Sequence, residues 1–468
     1  MKSVISSSIS NLKYTIFSQL FVISTGIFRV LFIPVILGVN DYGYWQIYML
    51  YAGFIGIFTY GFNDGIYLRY GQYSLKELPF ELIKSSLIFY ILSAFITAIV
   101  MLAVSSIIIE ERERFFVSIF LIVNFLTVII SSYFLFILQV TNNMRLYSKL
   151  LLIDKLLFVV LLLCVFLYEN DLDFYTVIIL DLISKIVTSI YLMNRFSGFC
   201  FGKVNSFRLG WIEFLENINV GYKLLLANLL TILLISLSRL FVEFNFSIES
   251  FSIFAFGLSL TGILILVANG VSVVIYPMLR RLDSATFRYI YLKMFEIISP
   301  LLLLFVAIFF VVEIIINKYI VNYKDVLSFL PLLLLSTYYQ VRVQILNNSF
   351  FKATRRESYL IYFNIASILM FLLLTFLFYS LDGGLGGVAI AYLLTSMLKA
   401  ITADFCMFYI SKWSILELTK IVSFESVLLF VSYYLMTNNL TFLVVMLLLI
   451  FFVFYAVFIF RAYKGMYV

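Results

Sequence analysis

Residues 82–109 read LIKSSLIFYILSAFITAIVMLAVSSIII, with no charged side chain after Lys84. An α-helix advances about 1.5 Å per residue, so about 20 apolar residues cross the hydrocarbon of a bilayer. The stretch reads as a transmembrane helix, and so do its neighbours on both sides. Apolar runs of the same kind cover 14–38, 44–70, 115–140, 149–168 and 174–194. After a more polar stretch come 222–242, 251–278, 289–317, 326–350, 359–379 and 385–410. Two shorter runs, 421–436 and 440–460, flank Thr437, Asn438 and Asn439. Fourteen spans are expected, in an all-α polytopic membrane protein.

The composition of the whole chain agrees. Of 468 residues, 64% are apolar and 12% charged, where a soluble protein carries about 25% charged residues. The formal charge of +7 comes from basic residues scattered between apolar runs, a pattern that orients spans and leaves no nucleic-acid footprint. Histidine is absent, and Cys164, Cys200 and Cys406 are too far apart for a zinc site or redox pair. Neither a metal nor a cofactor is expected. No G-x-x-x-x-G-K-S/T loop occurs, so ATP hydrolysis by that route is excluded. The glycines between Asp382 and Val388 read as a turn before the twelfth span. Met1 to Ser10 carries one lysine and is followed by no small-residue cleavage pattern, which suggests a retained first helix.

Loop charge tests the count, because Lys and Arg stay on the cytoplasmic side. With both termini inside, Arg69, Lys76 and Lys84, the groups 195–223, 280–293 and 352–356, and Lys412 and Lys420 all fall in the cytoplasm. Outside fall only Arg112, Arg114, Lys318 and Lys324. The longest internal connection, 195–221, follows the sixth span and divides the chain into parallel repeats. The expected parts are an N-terminal six-helix lobe over 1–196, a linker over 197–219, a second six-helix lobe over 220–411 and a terminal helix pair over 412–468. Lys13 precedes Arg29 by the same sixteen residues that separate Lys223 from Arg239, a weak trace of the repeat.

Six basic residues remain inside spans: Arg29, Lys155, Lys185, Arg239, Arg342 and Lys399. A charge at the bilayer centre costs about 2.5 to 3.5 kcal/mol on insertion scales, so each needs a partner, a wet cavity or a path to the interface. At 100° per residue, Arg29 shares a face with Thr15, Ser18, Gln19 and Gly26. Arg239 groups with Asn228, Thr231 and Ser238, and Lys399 with Thr395, Ser396 and Thr402. Three polar stripes with one cation each suggest the wall of an aqueous cavity, snorkelling being the bland alternative. Asp181 and Lys185 stand four residues apart and either neutralise each other or serve transport. Lys155, beside Asp154 near a helix end, reads as a snorkelling lysine. Arg342 lies opposite the polar stripe of its helix, so the helix is irregular there or Arg342 packs on another helix. Asp64 shares a helix face with Gln46, Gly53, Gly56, Tyr60, Asn63 and Tyr67, as a proton or sodium site or as a counter-ion to an arginine. Asp404 is a weaker candidate.

Several segments together resemble one family. They are the helix-one arginine, residues 37–45 (LGVNDYGYW), Gly61-Phe62-Asn63-Asp64-Gly65 followed by Arg69-Tyr70, and Gly386-Gly387-Val388-Ala389. The chain looks like the polysaccharide transporters of the multidrug/oligosaccharidyl-lipid/polysaccharide (MOP) exporter superfamily, specifically the Wzx-type O-antigen flippases. The resemblance implies two six-helix lobes around a central cavity that opens alternately to each side. It implies transfer of an undecaprenyl-pyrophosphate-linked oligosaccharide from the cytoplasmic to the external leaflet of a bacterial inner membrane, in O-antigen and lipopolysaccharide biosynthesis. A polysaccharide polymerase and chain-length proteins are the implied partners, besides the membrane lipid. Two terminal helices depart from the commoner twelve and resemble the lipid II flippases.

A pyrophosphate head group needs a wet cationic path through hydrocarbon. Arg29 and Arg239 would hold it, with Lys399 and Lys185 as looser point charges, and Asp64 or Asp181 would couple an ion. A MATE-like drug exporter would need surplus acid in its cavity. An enzyme acting on the same glycolipid would bring a larger external loop than the sequence provides.

Overall fold

In the computed structural model, residues 21, 23–71, 73, 77–141, 143–169, 172–200, 206–279 and 286–438 are described, and among them there is no strand. The helices are α1 (Ile23–Ile36), α2 (Val39–Ala52), α3 (Phe62–Tyr70), α4 (Phe80–Ile108), α5 (Arg112–Val140), α6 (Met144–Tyr168), α7 (Phe174–Arg195), α8 (Ser197–Cys200) and α9 (Phe207–Asn245). They continue as α10 (Ile248–Leu279), α11 (Phe287–Ile298), α12 (Leu301–Tyr319), α13 (Leu330–Arg342), α14 (Asn348–Ala353), α15 (Ser358–Ser380), α16 (Gly384–Ile410) and α17 (Ile415–Thr437). Among the described residues eight helices are long and apolar enough to span a membrane, or ten if each bent pair counts once. The all-α polytopic class is therefore what the chain adopts. The fourteenth expected span, 440–460, and the first part of span one lie outside the described residues. Residues 421–436 of the thirteenth are helical within α17, which is not among those eight or ten candidates.

Long apolar faces are exposed among the described residues. Ile96, Ile99 and Ile107 of α4 are 63%, 67% and 81% exposed, as side chains bathed in lipid are. Caps and breakers set several boundaries. Asp173 accepts the Thr176 N–H at 2.8 Å and starts α7, and Pro300, which lacks an N–H, separates α11 from α12.

The structure departs from the expected continuous helix at span two. After Ala52 the chain forms a 3-10 turn over Ile55–Thr59, then Tyr60 and Gly61 both take left-handed backbone, with φ of 54° and 81°, before α3 begins. The single polar face expected over 46–67 is thereby split. Gly61 suits this position because it has no Cβ to strain. Irregular backbone at membrane depth must be covered by protein or water, and here α9 covers it. A Cβ on Gly221 would stand 1.9 Å from the Gly61 carbonyl oxygen and 2.5 Å from the Gly65 nitrogen. Gly221→Val should therefore cost at least the 1–3 kcal/mol typical of overpacking, whereas Gly262→Ala, with nothing within 4 Å, should not. Thermal melting of the two purified variants tests this, and equal melting points would contradict the contact.

Contacts divide the chain into two compact units. One comprises 1–243 with 247–252, the other 244–246 with 253–468. The second unit thus begins later than the expected residue 220, and much of the expected 197–219 linker is the helical start of α9. The reason is electrostatic as well as steric. Near its start, α9 places Glu213 against Arg69 at 2.6 Å and Glu216 against the same guanidinium at 2.7 Å. About 45 Å further along the helix, Glu243 pairs with Arg114 and accepts from Tyr51 Oη at 3.0 Å. Both ends of α9 are fastened to the first unit.

Candidate functional site

In the first unit, ionisable side chains gather where α1, α2, α5, α6 and α7 present polar residues to one another. Asp181 of α7, 2% exposed, accepts from Lys185 Nζ at 2.5 Å and from Tyr48 Oη at 2.9 Å. Arg29 Nη2 stands 3.9 Å from its other oxygen. Lys185 also donates to Asn124 Oδ1 at 3.2 Å. Beside them Lys155 pairs with Asp154 at 2.8 Å, and Ser184 Oγ donates to Asp154 at 3.2 Å. Among the described residues three cations, Arg29, Lys155 and Lys185, thus face two carboxylates, a surplus of one positive charge.

Arg29 is held but not satisfied. Its guanidinium lies 4.2 Å over the Phe158 ring, and its Nε and Nη2 are buried with no hydrogen-bond partner among the described residues. Those two nitrogens form one edge of the fork, the geometry with which arginine grips a phosphate or carboxylate bidentately. An anion docking there would meet unused donors and net positive charge.

Of the other expected residues, Arg239 sits half-buried on α9 in the first unit, beside the fully buried Ser238. Asp64 of α3 is 7% exposed and has no hydrogen bond or ion pair among the described residues. Its neighbour Asn63 donates to Tyr90 and Ser132, each at 3.1 Å. In the second unit Lys399 of α16 donates to Asn364 Oδ1 of α15 at 2.8 Å, with no carboxylate in ion-pair range among the described residues.

The structure joins Arg29 to the Asp181–Lys185 pair, which the spacing of four in the sequence had exposed, in one network. Tyr48 and Asn124 belong to the same network and carried no signal in the sequence, and Asp154, the sequence neighbour of Lys155, belongs to it as well. Lys155, which read as snorkelling, belongs to it too.

The second unit buries a cluster of opposite balance. Arg342, wholly buried, pairs with Glu425 of α17 at 2.5 Å and with Asp404 of α16. Tyr338 Oη donates to Glu425 at 2.5 Å, and Tyr291 Oη and Asn347 Nδ2 donate to Asp404 at 2.5 and 2.6 Å. The guanidinium covers the Phe295 ring at 4.4 Å. Both alternatives for Arg342 hold: a π-helical turn over Val343–Asn347 follows it, and it packs on other helices. Glu425 was the missed partner, and its position as an acid within an apolar helix was the available signal.

No family model matches the sequence, and no curated protein does. The fold has solved counterparts. The lipid II flippase MurJ in its inward closed conformation aligns at a TM-score of 0.65 and 15% identity, covering 96% of this chain and 98% of that one. The eukaryotic MATE transporter AtDTX14 aligns at 0.55 and 13% identity, covering 86% and 95%. An outward-facing multidrug resistance MATE family transporter of the MOP superfamily follows at 0.48 and 15%, covering 88% and 96%. The likeness shows the fold, an all-α arrangement shared with MurJ and AtDTX14.

Proposed function

We propose that the chain is a flippase that carries an undecaprenyl-pyrophosphate-linked oligosaccharide, the repeat unit of an O-antigen or similar surface polysaccharide, from the cytoplasmic to the external leaflet. It works by alternating access in a bacterial inner membrane, with both termini cytoplasmic, and feeds a polysaccharide polymerase and its chain-length partners. The observation that carries this reading is the buried Arg29 edge, whose two donors have no hydrogen-bond partner among the described residues, inside a network that by those residues is one cation in excess. Such a site suits a pyrophosphate and opposes a cationic drug. Arg239, Lys399 and Lys185 add positive charge for the head group. Asp64, buried and with no ion pair among the described residues, is the acid we assign to ion coupling; Asp181 is engaged by Lys185 and Tyr48 and acts as their counter-ion. A lipid II precursor is the second reading, favoured by the fold shared with MurJ and by α17 beyond the twelve helices of the commoner pattern.

Reconstituted protein should flip a fluorescent undecaprenyl-pyrophosphate oligosaccharide faster than lipid II, and an imposed proton or sodium gradient should accelerate it. Asp64→Asn should flip at the basal rate and lose the acceleration. Equal flipping of lipid II would favour the second reading, transport of a cationic dye alone would refute both, and a full gradient response in Asp64→Asn would remove Asp64 from coupling.

A further inference from the structure

A groove of about 660 Å³ runs along the second unit between the α11–α12 break and α17. That volume lies within the roughly 300–1,000 Å³ of ligand-holding pockets. Pro300 opens the cleft by ending α11, and Leu292, Phe295, Ile421 and Phe424 line it. The hydroxyl of Ser299 in its wall donates to the Phe295 carbonyl at 2.9 Å, so that group asks nothing of an occupant. Phe295 forms the floor, its ring covered by the Arg342 guanidinium.

One end of the groove is charged. Glu417 is held by Arg288 at 2.5 Å and Glu296 by Lys293 at 2.7 Å, while exposed Lys420 has no ion pair among the described residues. With Arg288 and Lys293, which neutralise the two lining acids from beside the groove, the described charges at this end sum to one positive, carried by Lys420, on the same end of α17 as Lys412 and Trp413, where a basic side chain can meet lipid phosphates.

We propose that this groove binds one anionic phospholipid, an acyl chain lying between Phe295, Ile421 and Phe424 and the phosphate meeting Lys420. An apolar trough inside a membrane span, with a net cation at its mouth, matches that amphiphile in both polarity and charge. The occupant is a resident lipid distinct from any transported substrate, so the inference stands apart from the transport reading.

The test is native mass spectrometry of the full-length protein in detergent, titrated with phosphatidylglycerol or phosphatidylethanolamine. Wild type should take up one phosphatidylglycerol saturably and phosphatidylethanolamine more weakly. Lys420→Ala should bind phosphatidylglycerol about fivefold more weakly, the factor given by roughly 1 kcal/mol per basic residue at an anionic surface. Ile421→Trp, which fills the trough, should lose the saturable adduct. Phosphatidylglycerol uptake unchanged in Lys420→Ala would overturn the proposal, as would one-for-one displacement by undecaprenyl phosphate, which would assign the trough to a polyisoprenyl chain. A protein dimer that forms as phosphatidylglycerol is removed would assign it to a second copy and also overturn it.

Discussion

Arg342→Met is expected to destabilise the second unit by at least the 3–5 kcal/mol that follows removal of one partner from a buried ion pair, because it strands two carboxyl groups. Asp404 and Glu425 are both buried around this one guanidinium, and the methionine would fill the space without supplying charge. Asp404→Asn or Glu425→Gln should cost much less, since each leaves Arg342 balanced by one remaining acid and keeps an oxygen for Tyr291 or Tyr338. The triple variant Arg342→Met, Asp404→Asn, Glu425→Gln should recover part of the loss, the non-additivity expected within one network. Melting curves of the purified variants measure this ordering. If Glu425→Gln melts as low as Arg342→Met, the cluster is not short of a cation. The same network fastens α17 to α13 and α16, which makes this helix part of the second unit's core.

Arg29→Ala should abolish export of surface polysaccharide in cells while the protein persists in the membrane. Removing a charge-assisted contact loses about 1.5–3 kcal/mol, roughly a ten- to hundred-and-fiftyfold weakening of head-group binding. The fold should tolerate it, because Asp181 keeps Lys185 at 2.5 Å and Tyr48 at 2.9 Å. Arg29→Lys should retain part of the activity, with a point charge in place of the bidentate fork. Asp181→Asn differs: it leaves Arg29 and Lys185 without their shared acid and should impair folding as well as transport. Export at wild-type level in Arg29→Ala, with the protein present at normal abundance, would assign Arg29 to packing on Phe158.

The second unit also shows how a local irregularity serves a global contact. The π-helical turn over Val343–Asn347 shifts the helix phase just after Arg342. Asn347 can then reach Asp404 from the same element, at 2.6 Å. A straight helix would place the polar stripe and the arginine on opposed faces, which is the contradiction the sequence presents.

The sequence by itself determined the class: apolar runs longer than the hydrocarbon is thick leave a chain no alternative to helices, because every backbone group must be satisfied within the segment. It also determined which residues were costly, since Arg29, Lys185, Asp181 and Lys399 stand out against lipid-like neighbours. Tertiary structure decided their partners. Asp181 and Lys185 share a helix, and the spacing of four exposes that pair; Arg29, Tyr48 and Asn124 come from three other helices, and periodicity within one helix carries no information about which helix lies beside it. It also decided where α9 belongs, because glycines at 61, 65 and 221 permit an approach that only the paired backbones reveal. The break in span two has the same origin: left-handed Tyr60 and Gly61 are tolerated where α9 covers them, a condition set by a neighbour more than 150 residues away in the chain.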